Sequence, residues 1–342
     1  MRVFFRADAS DDIGFGHVMR TYALAKILQL RGHVVGFLTA QLPPHLSCLL
    51  VDGGFNVVTL SATHDAEEAL TKIEIHADWL VVDHYELDIA WERRLRTKCR
   101  RILVIEDQPN RAHDCDLLLD QNLSTQTEND YLDLIPAHAR CLLGPQWALL
   151  RPAFLAARNF SLARRISPSL EKILIFMGGG SVEPDVLVAL EGVLESRWKF
   201  ERVDIVLGQS PLPHSLLARR LSEVPHAQLH TQTPDMANLM AKSDLAITAG
   251  GSVSWEKCCL GLPSIVTTLA ANQKSILLAL NAVGAVKAVR TAGVVTSSCY
   301  AHVLDGLDTD SLSNMSKIAA RLCSGHGAEL VADELISEAE EP

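Results

Sequence analysis

Apolar runs of strand length alternate along this chain with longer amphipathic stretches. In the first half the runs are Val3 to Phe5, His33 to Leu38, Val57 to Leu60, Trp79 to Asp83 and Ile102 to Ile105. Each predicts a buried strand, and each is followed by a turn or helix-like sequence. After the first run, Val18, Tyr22, Ala25 and Leu28 repeat at helical spacing, and Gly32 closes the segment as a C-terminal cap would. The stretch from Arg151 through Pro168 has no strand pattern. Strand signals resume at Lys172 to Met177, Val203 to Leu207, Leu245 to Thr248 and Ser264 to Thr268, with helix-like sequence at Asp235 to Lys242 and Ser254 to Leu260. Such alternation predicts an α/β protein of two Rossmann-like, doubly wound halves with parallel sheets and right-handed crossovers. We expect an N-terminal domain over 1–155, a linker over 156–168, and a C-terminal domain over 169–342 with a frayed acidic tail at Glu338, Glu340 and Glu341. Ligands of these sheets sit beyond the carboxyl ends of the strands, so the residues at those ends carry the functional argument.

Composition narrows the class. A length of 342 residues suits two domains, and 48% hydrophobic with 21% charged residues supplies full cores, which excludes wholesale disorder. Acidic residues outnumber basic ones 41 to 31, for a formal charge of −10, so no global field draws nucleic acid or an anionic membrane. A phosphate site must therefore be local. The eight cysteines show neither CxxC pairs nor zinc-ligand spacing and are expected to be reduced thiols of a cytoplasmic protein. Asp8 interrupts any signal-peptide core, and no apolar stretch approaches the roughly 20 residues that span a bilayer. We expect a soluble monomer without nucleic-acid partner or stable membrane association.

Three glycine clusters fall at predicted strand ends. Gly14-Phe15-Gly16-His17 opens the first helix, where glycines permit close backbone approach and free N–H groups attract an anion. His17 would project from the same turn; the alternative is a tight turn with a capping histidine. The third glycine of a dinucleotide fingerprint is missing. Gly178-Gly179-Gly180-Ser181 and Gly250-Gly251-Ser252 offer backbone amides and a hydroxyl to phosphate oxygens without the lysine of a Walker loop, or are ordinary strand-to-helix turns. Glu256, about one helical turn beyond the last cluster, could accept both ribose hydroxyls or simply complement the helix dipole. Asp83-His84-Tyr85 ends a hydrophobic strand, facing a ligand or capping and packing the next helix. Asn272 opens a helix after the strand Ile265 to Thr268, where a cap is the alternative. No DxD pair calls for a divalent metal, and no other cofactor is implied.

The segments Arg6-Ala-Asp8 with GFGH, VDHYELDIAWERRLR, EDQPNRAHDCDLLLDQNL, GPQWALLRPAF, AGGSVSWEKCCLGLP and ANQ follow one another from Met1 to about Gly284. In that order and spacing they resemble the UDP-sugar hydrolase family of pseudaminic acid biosynthesis, often called PseG. The resemblance implies the GT-B arrangement, two Rossmann-like halves facing a cleft, similar to the peptidoglycan glycosyltransferase MurG. It further implies hydrolysis of UDP-2,4-diacetamido-2,4,6-trideoxy-β-L-altropyranose, with water replacing a sugar acceptor and inversion at the anomeric carbon. By the same resemblance His17 is the catalytic histidine, and Tyr85 and Asn272 line the sugar pocket. Asp8, Gly14 and Gly16 complete the substrate set. UDP rests on Gly250, Gly251 and Ser252, with Gly178 and Gly179 beside it and Glu256 on the ribose. The loop GGGSVEPD departs from the family's shorter turn, and Lys287 to Cys299 matches no part of the pattern. Three rivals keep the same fold: an inverting GT-B glycosyltransferase, a UDP-sugar 2-epimerase, and a non-catalytic nucleotide-sugar-binding scaffold. A transferase acting on a lipid acceptor would need an apolar or basic docking patch, which this sequence does not suggest.

Overall fold

A computed structural model describes residues 1–10, 12–73, 75–123, 128–178, 182–208, 215–231, 233–289 and 294–340. The chain divides into two compact units, Met1–Arg151 with His326–Pro342, and Pro152–Gly325.

The first unit holds a parallel sheet of β1 (Arg2–Ala7), β2 (Val34–Thr39), β3 (Asn56–Thr59), β4 (Ala77–Asp83), β5 (Cys99–Ile105), β6 (Leu117–Asp120) and β7 (Arg140–Leu143), in the order β3-β2-β1-β4-β5-β6-β7. The second holds β8 (Lys172–Phe176), β9 (Arg202–Leu207), β10 (Ala227–Thr231), β11 (Leu245–Ala249), β12 (Ser264–Thr267) and β13 (Lys287–Ala288), in the order β10-β9-β8-β11-β12-β13. Strands buried on both faces need no alternation of polar and apolar residues, which is why β4, β5 and β11 read as continuous apolar runs. Strand order reverses between β1 and β4 in one unit and between β8 and β11 in the other, the kind of point beyond whose carboxyl ends open α/β sheets bind ligands.

The helix Gly16–Leu30 buries residues almost all round, from Val18 and Thr21 to Ala25 and Leu28, because the sheet lies on one side and the C-terminal helix Gly327–Glu340 on the other. It ends as expected at Gly32, whose φ of +84° lets the N–H of His33 reach back to the carbonyl of Leu28 at 3.0 Å.

Unit boundaries differ from the expected ones. Most of the stretch expected as a linker is the helix Pro152–Arg164, begun by a proline and burying Phe154, Ala157 and Ser161. Arginines in and just after this helix tie it to its own unit: Arg158 donates to the carbonyl of Ala320 at 2.7 Å, and Arg165 to that of Ser243 at 2.9 Å. The tail returns to the first unit, where the Trp79 indole donates to the carbonyl of Leu335 at 2.9 Å. Glu338, expected to fray, pairs with Arg140 at 3.0 Å. The sequence pattern did not single out the short strands β6, β7, β10 and β13.

Candidate functional site

In the first unit Ala7 of β1 lies beside Asp83 of β4, so the segments that follow these two strands emerge together. Gly14, at φ +81°, turns the chain and donates its N–H to the carbonyl of Ser10 at 2.8 Å. Phe15 occupies the N-cap position without a side-chain capping bond, and His17 sits in the first turn, so His17 is not a cap. Its Nδ1 lies 2.9 Å from Asp83 Oδ1 and 3.0 Å from the Asp83 carbonyl oxygen. Both are acceptors, so Nδ1 carries the hydrogen and the neutral ring keeps its lone pair on Nε2. Among the described residues Nε2 has no hydrogen-bond partner. Asp83 does not cap the next helix; Asp88 does, accepting from the N–H of Ala90.

Charges around His17 form a chain. Arg20, one turn along the same helix, grips Asp83 through Nε at 2.6 Å and Nη2 at 2.7 Å, and Asp107 through Nη1 at 2.9 Å and Nη2 at 3.1 Å. Tyr85 donates its hydroxyl to Asp107 Oδ2 at 2.9 Å while its ring meets that of His17 edge-on, centroids 4.5 Å apart. Asn122 donates to Asp107 Oδ1 at 2.9 Å. Burial pulls the His17 pKa down, but the charge and hydrogen bond of Asp83 outweigh it and leave the pKa above its ordinary value. Burial pushes Asp83 up, and Arg20 and His17 overcome this to hold it well below the usual carboxylate range. One strand further, burial pushes the Asp120 carboxyl up to about 6, although it accepts from the Tyr131 hydroxyl.

Asp8, expected to touch substrate, is wholly buried. Both its oxygens take Arg6, at 2.6 and 2.9 Å, and Oδ1 also accepts the N–H of Ala40 at 2.7 Å. No surface is left for a direct contact. Its link to the site runs through His84, whose Nδ1 accepts the N–H of Glu86 at 3.0 Å and whose Nε2 lies 3.3 Å from Asp8 Oδ2. The segment EDQPNRAHD holds the neighbouring turns in place. His113 sits between Glu92 at 2.7 Å and Glu106 at 3.1 Å, and Arg111 ties Glu106 to the carbonyls of His84 and Leu87.

The second unit carries the glycine-serine clusters. Gly178 follows β8 at φ +115°, and Gly251 follows β11 at φ +105°; these backbone conformations favour glycine. β8 and β11 are paired neighbours, so the two turns leave the same edge. A side chain on Gly250 would meet Cβ of Gln273 at 2.8 Å, which shows that the AGGS turn and the ANQ turn are packed together. Ser252 is the N-cap residue of the helix Val253–Cys259 and makes no capping bond with its side chain; Glu256 lies half-buried in the first turn. Gly179 lies outside the described residues, and of Asn272 only the backbone, within Ala271–Gln273, is described. Lys257 is a further buried group here. Its ammonium donates to Thr248 Oγ1 at 2.5 Å, and burial lowers its pKa to about 8.

Sequence reading thus missed Arg20, Asp107, Asn122 and Lys257. The signal for Arg20 was its place three residues after His17, on the same helix face. Asp107 follows a strand adjacent to β4, which only the sheet order reveals.

Among the described residues no group of His, Cys, Asp or Glu is arranged to hold a metal ion, and no helix is long and apolar enough to cross a membrane.

The two parallel sheets and their strand orders make this a GT-B fold. Over 98% of the chain and 99% of the other, it superposes on MurG of Acinetobacter baumannii with a TM-score of 0.68 at 17% identity. It matches the UDP-GlcNAc 2-epimerase of Neisseria meningitidis with a TM-score of 0.62 at 14% identity, covering 98% of this chain and 100% of that one. No family model matches the chain. Among curated relatives, the spore coat polysaccharide biosynthesis protein SpsG of Bacillus subtilis is 26% identical across 80% of this chain and 79% of its own. The UDP-2,4-diacetamido-2,4,6-trideoxy-beta-L-altropyranose hydrolase of Campylobacter jejuni is 27% identical across 54% of this chain and 62% of its own. An uncharacterised protein of Methanocaldococcus jannaschii is 25% identical across 78% of this chain, which spans only 55% of that protein.

Proposed function

We propose that the chain hydrolyses a UDP-linked diacetamido sugar, UDP-2,4-diacetamido-2,4,6-trideoxy-β-L-altropyranose, to UDP and the free sugar with inversion at the anomeric carbon. The observation that carries this reading is His17, held through Nδ1–H by Asp83 with the Nε2 lone pair unengaged by any described residue. That is the arrangement of a general base oriented by a carboxylate. Water attacks the anomeric carbon, Nε2 takes the water proton, and the bond to the UDP oxygen breaks with its electron pair leaving on the diphosphate. We assign the diphosphate to the turns at Gly178 and Gly250-Gly251-Ser252, the ribose to Glu256, and the sugar to Gly14, Gly16, Tyr85 and Asn272. Asp8 serves by positioning His84. Kinship to the Campylobacter hydrolase supports the substrate.

The test is incubation with this UDP-sugar, without acceptor, in ¹⁸O-labelled water, followed by NMR and mass spectrometry. Release of UDP with label on the anomeric hydroxyl of the sugar supports hydrolysis. A C2 isomer would mean an epimerase, turnover only with an added acceptor a transferase, and binding without turnover a scaffold.

A further inference from the structure

We infer that Asp107 is a positioning residue that sets which proton state His17 holds, acting by its charge and through its hold on Arg20. The inference rests on the hydrolytic reading only for its catalytic meaning, since its direct readout needs no substrate.

The charged groups around His17 form a closed circuit whose charges do not cancel while the imidazole is neutral. From His17 the contacts run to Asp83, to Arg20, to Asp107 and to Tyr85, whose ring returns to His17. All of these belong to one unit. Asp83 and Asp107 each contribute a negative charge and Arg20 one positive, so the circuit carries −1 with a neutral imidazole and zero with an imidazolium. Arg20 is shared between two carboxylates and cannot neutralise both. Asp107 is the surplus. Its four short contacts, two from Arg20 and one each from Asn122 and Tyr85, keep it ionised, and its pKa lies below the usual carboxylate value despite burial. The groups that act electrically on His17 are Asp83 from the end of β4, Arg20 from its own helix and Asp107 from beyond β5; Asp83 and Asp107 favour the proton on His17 and Arg20 opposes it.

Tyr85 gains a defined role from the same circuit. Its hydroxyl hydrogen is given to Asp107, so a sugar group reaching that oxygen would have to donate to it rather than accept from it. Packing of the Tyr85 ring against His17 then depends on where Asp107 stands.

The experiment is an NMR titration of His17 in the ligand-free full chain, with pH profiles of kcat/KM beside it. Asp107→Asn keeps the shape and removes the charge, and should lower the His17 pKa by about one unit, a tenfold loss of proton affinity. Tyr85→Phe keeps the charge and should leave that pKa nearly unmoved. An unchanged or raised pKa in Asp107→Asn overturns the inference, as does an equal fall in Tyr85→Phe. Should Asp107→Asn not fold, the Asp107 carboxyl resonance of the wild type must show a step at the His17 midpoint, and its absence overturns the inference equally. If the chain hydrolyses no UDP-sugar, the proposed reaction fails while this titration still decides the role of Asp107.

Discussion

Arg6 and Asp8 meet in a two-point ion pair, at 2.6 and 2.9 Å, and neither has any exposed surface. The pair stands where the chain leaves β1 for the glycine turn before His17, so its strength bears on the geometry of the whole site. Arg6 adds a contact to the carbonyl of Thr63 at 3.1 Å, and Asp8 holds the N–H of Ala40. These bonds offset the cost of removing two charges from water. Burial would raise the Asp8 pKa, but His84 and Arg6 hold it well below the usual carboxylate range.

Arg6→Met should therefore cost about 3–5 kcal/mol in urea denaturation, because it strands the Asp8 carboxylate in the interior. A companion Asp8→Asn change in the Arg6→Met background should restore part of that loss. A cost below about 1 kcal/mol would place the pair with surface bridges instead.

His113 offers a test in pH. Burial opposes its charge, and the hydrogen bonds it donates to Glu106 and Glu92 reverse this to raise its pKa from 6.5 to about 9. A raised folded-state pKa contributes stability that is fully present below pH 6.5 and is lost as pH climbs through about 9. Wild type should lose stability over that window by up to roughly 3 kcal/mol more than His113→Gln does. Parallel curves for the two proteins would show that the imidazole is neutral between its carboxylates.

Much of this was legible in the sequence because a parallel sheet buries its strands on both faces and so writes them as apolar runs. The turns at Gly14, Gly178 and Gly251 were legible for a related reason: positive φ favours glycine, and glycine at a strand end is visible. What escaped was whatever depends on lateral neighbours. Asp107 lies 24 residues beyond Asp83 and shares Arg20 with it because β5 is placed beside β4. The helix Pro152–Arg164 read as linker since Arg158 and the following Arg165 bond to main-chain carbonyls, and no side-chain pattern records those acceptors. Asp8 carried the opposite error. The family resemblance implied a substrate contact, and only the fold shows Arg6 consuming it.

Glu256 tests the nucleotide half of the proposal. A ribose contact acts equally on bound substrate and transition state, so Glu256→Ala should raise KM and weaken UDP by calorimetry while kcat changes little. Loss of a charged hydrogen bond corresponds to roughly 1.5–3 kcal/mol. Unaltered UDP affinity would leave Glu256 as an acid that serves its helix alone.

Gly250 tests the packing of the two turns. Its missing side chain admits Gln273, so Gly250→Ala must push the ANQ turn aside. We expect weaker UDP-sugar binding and a lower melting temperature together, because one displacement causes both. A normal melting temperature with normal binding would mean that the Gln273 side chain yields without moving its backbone.

The final test asks how His17 uses its proton. A base must be neutral to accept one, and the His17 pKa lies above its ordinary 6.5. The value of kcat/KM should then fall about tenfold per unit on the acid side of that pKa and level off above it. His17→Gln should lose on the order of a hundredfold in kcat, along with the acid limb of the profile, since base catalysis contributes at least that much. Circular dichroism and UDP binding should be unchanged, because the Asp83 carboxylate keeps Arg20 as its partner when the imidazole is gone. A rate that instead falls as pH rises through the His17 midpoint would mean that the imidazolium is the active form. His17 would then donate a proton to the departing diphosphate, and water would need another base.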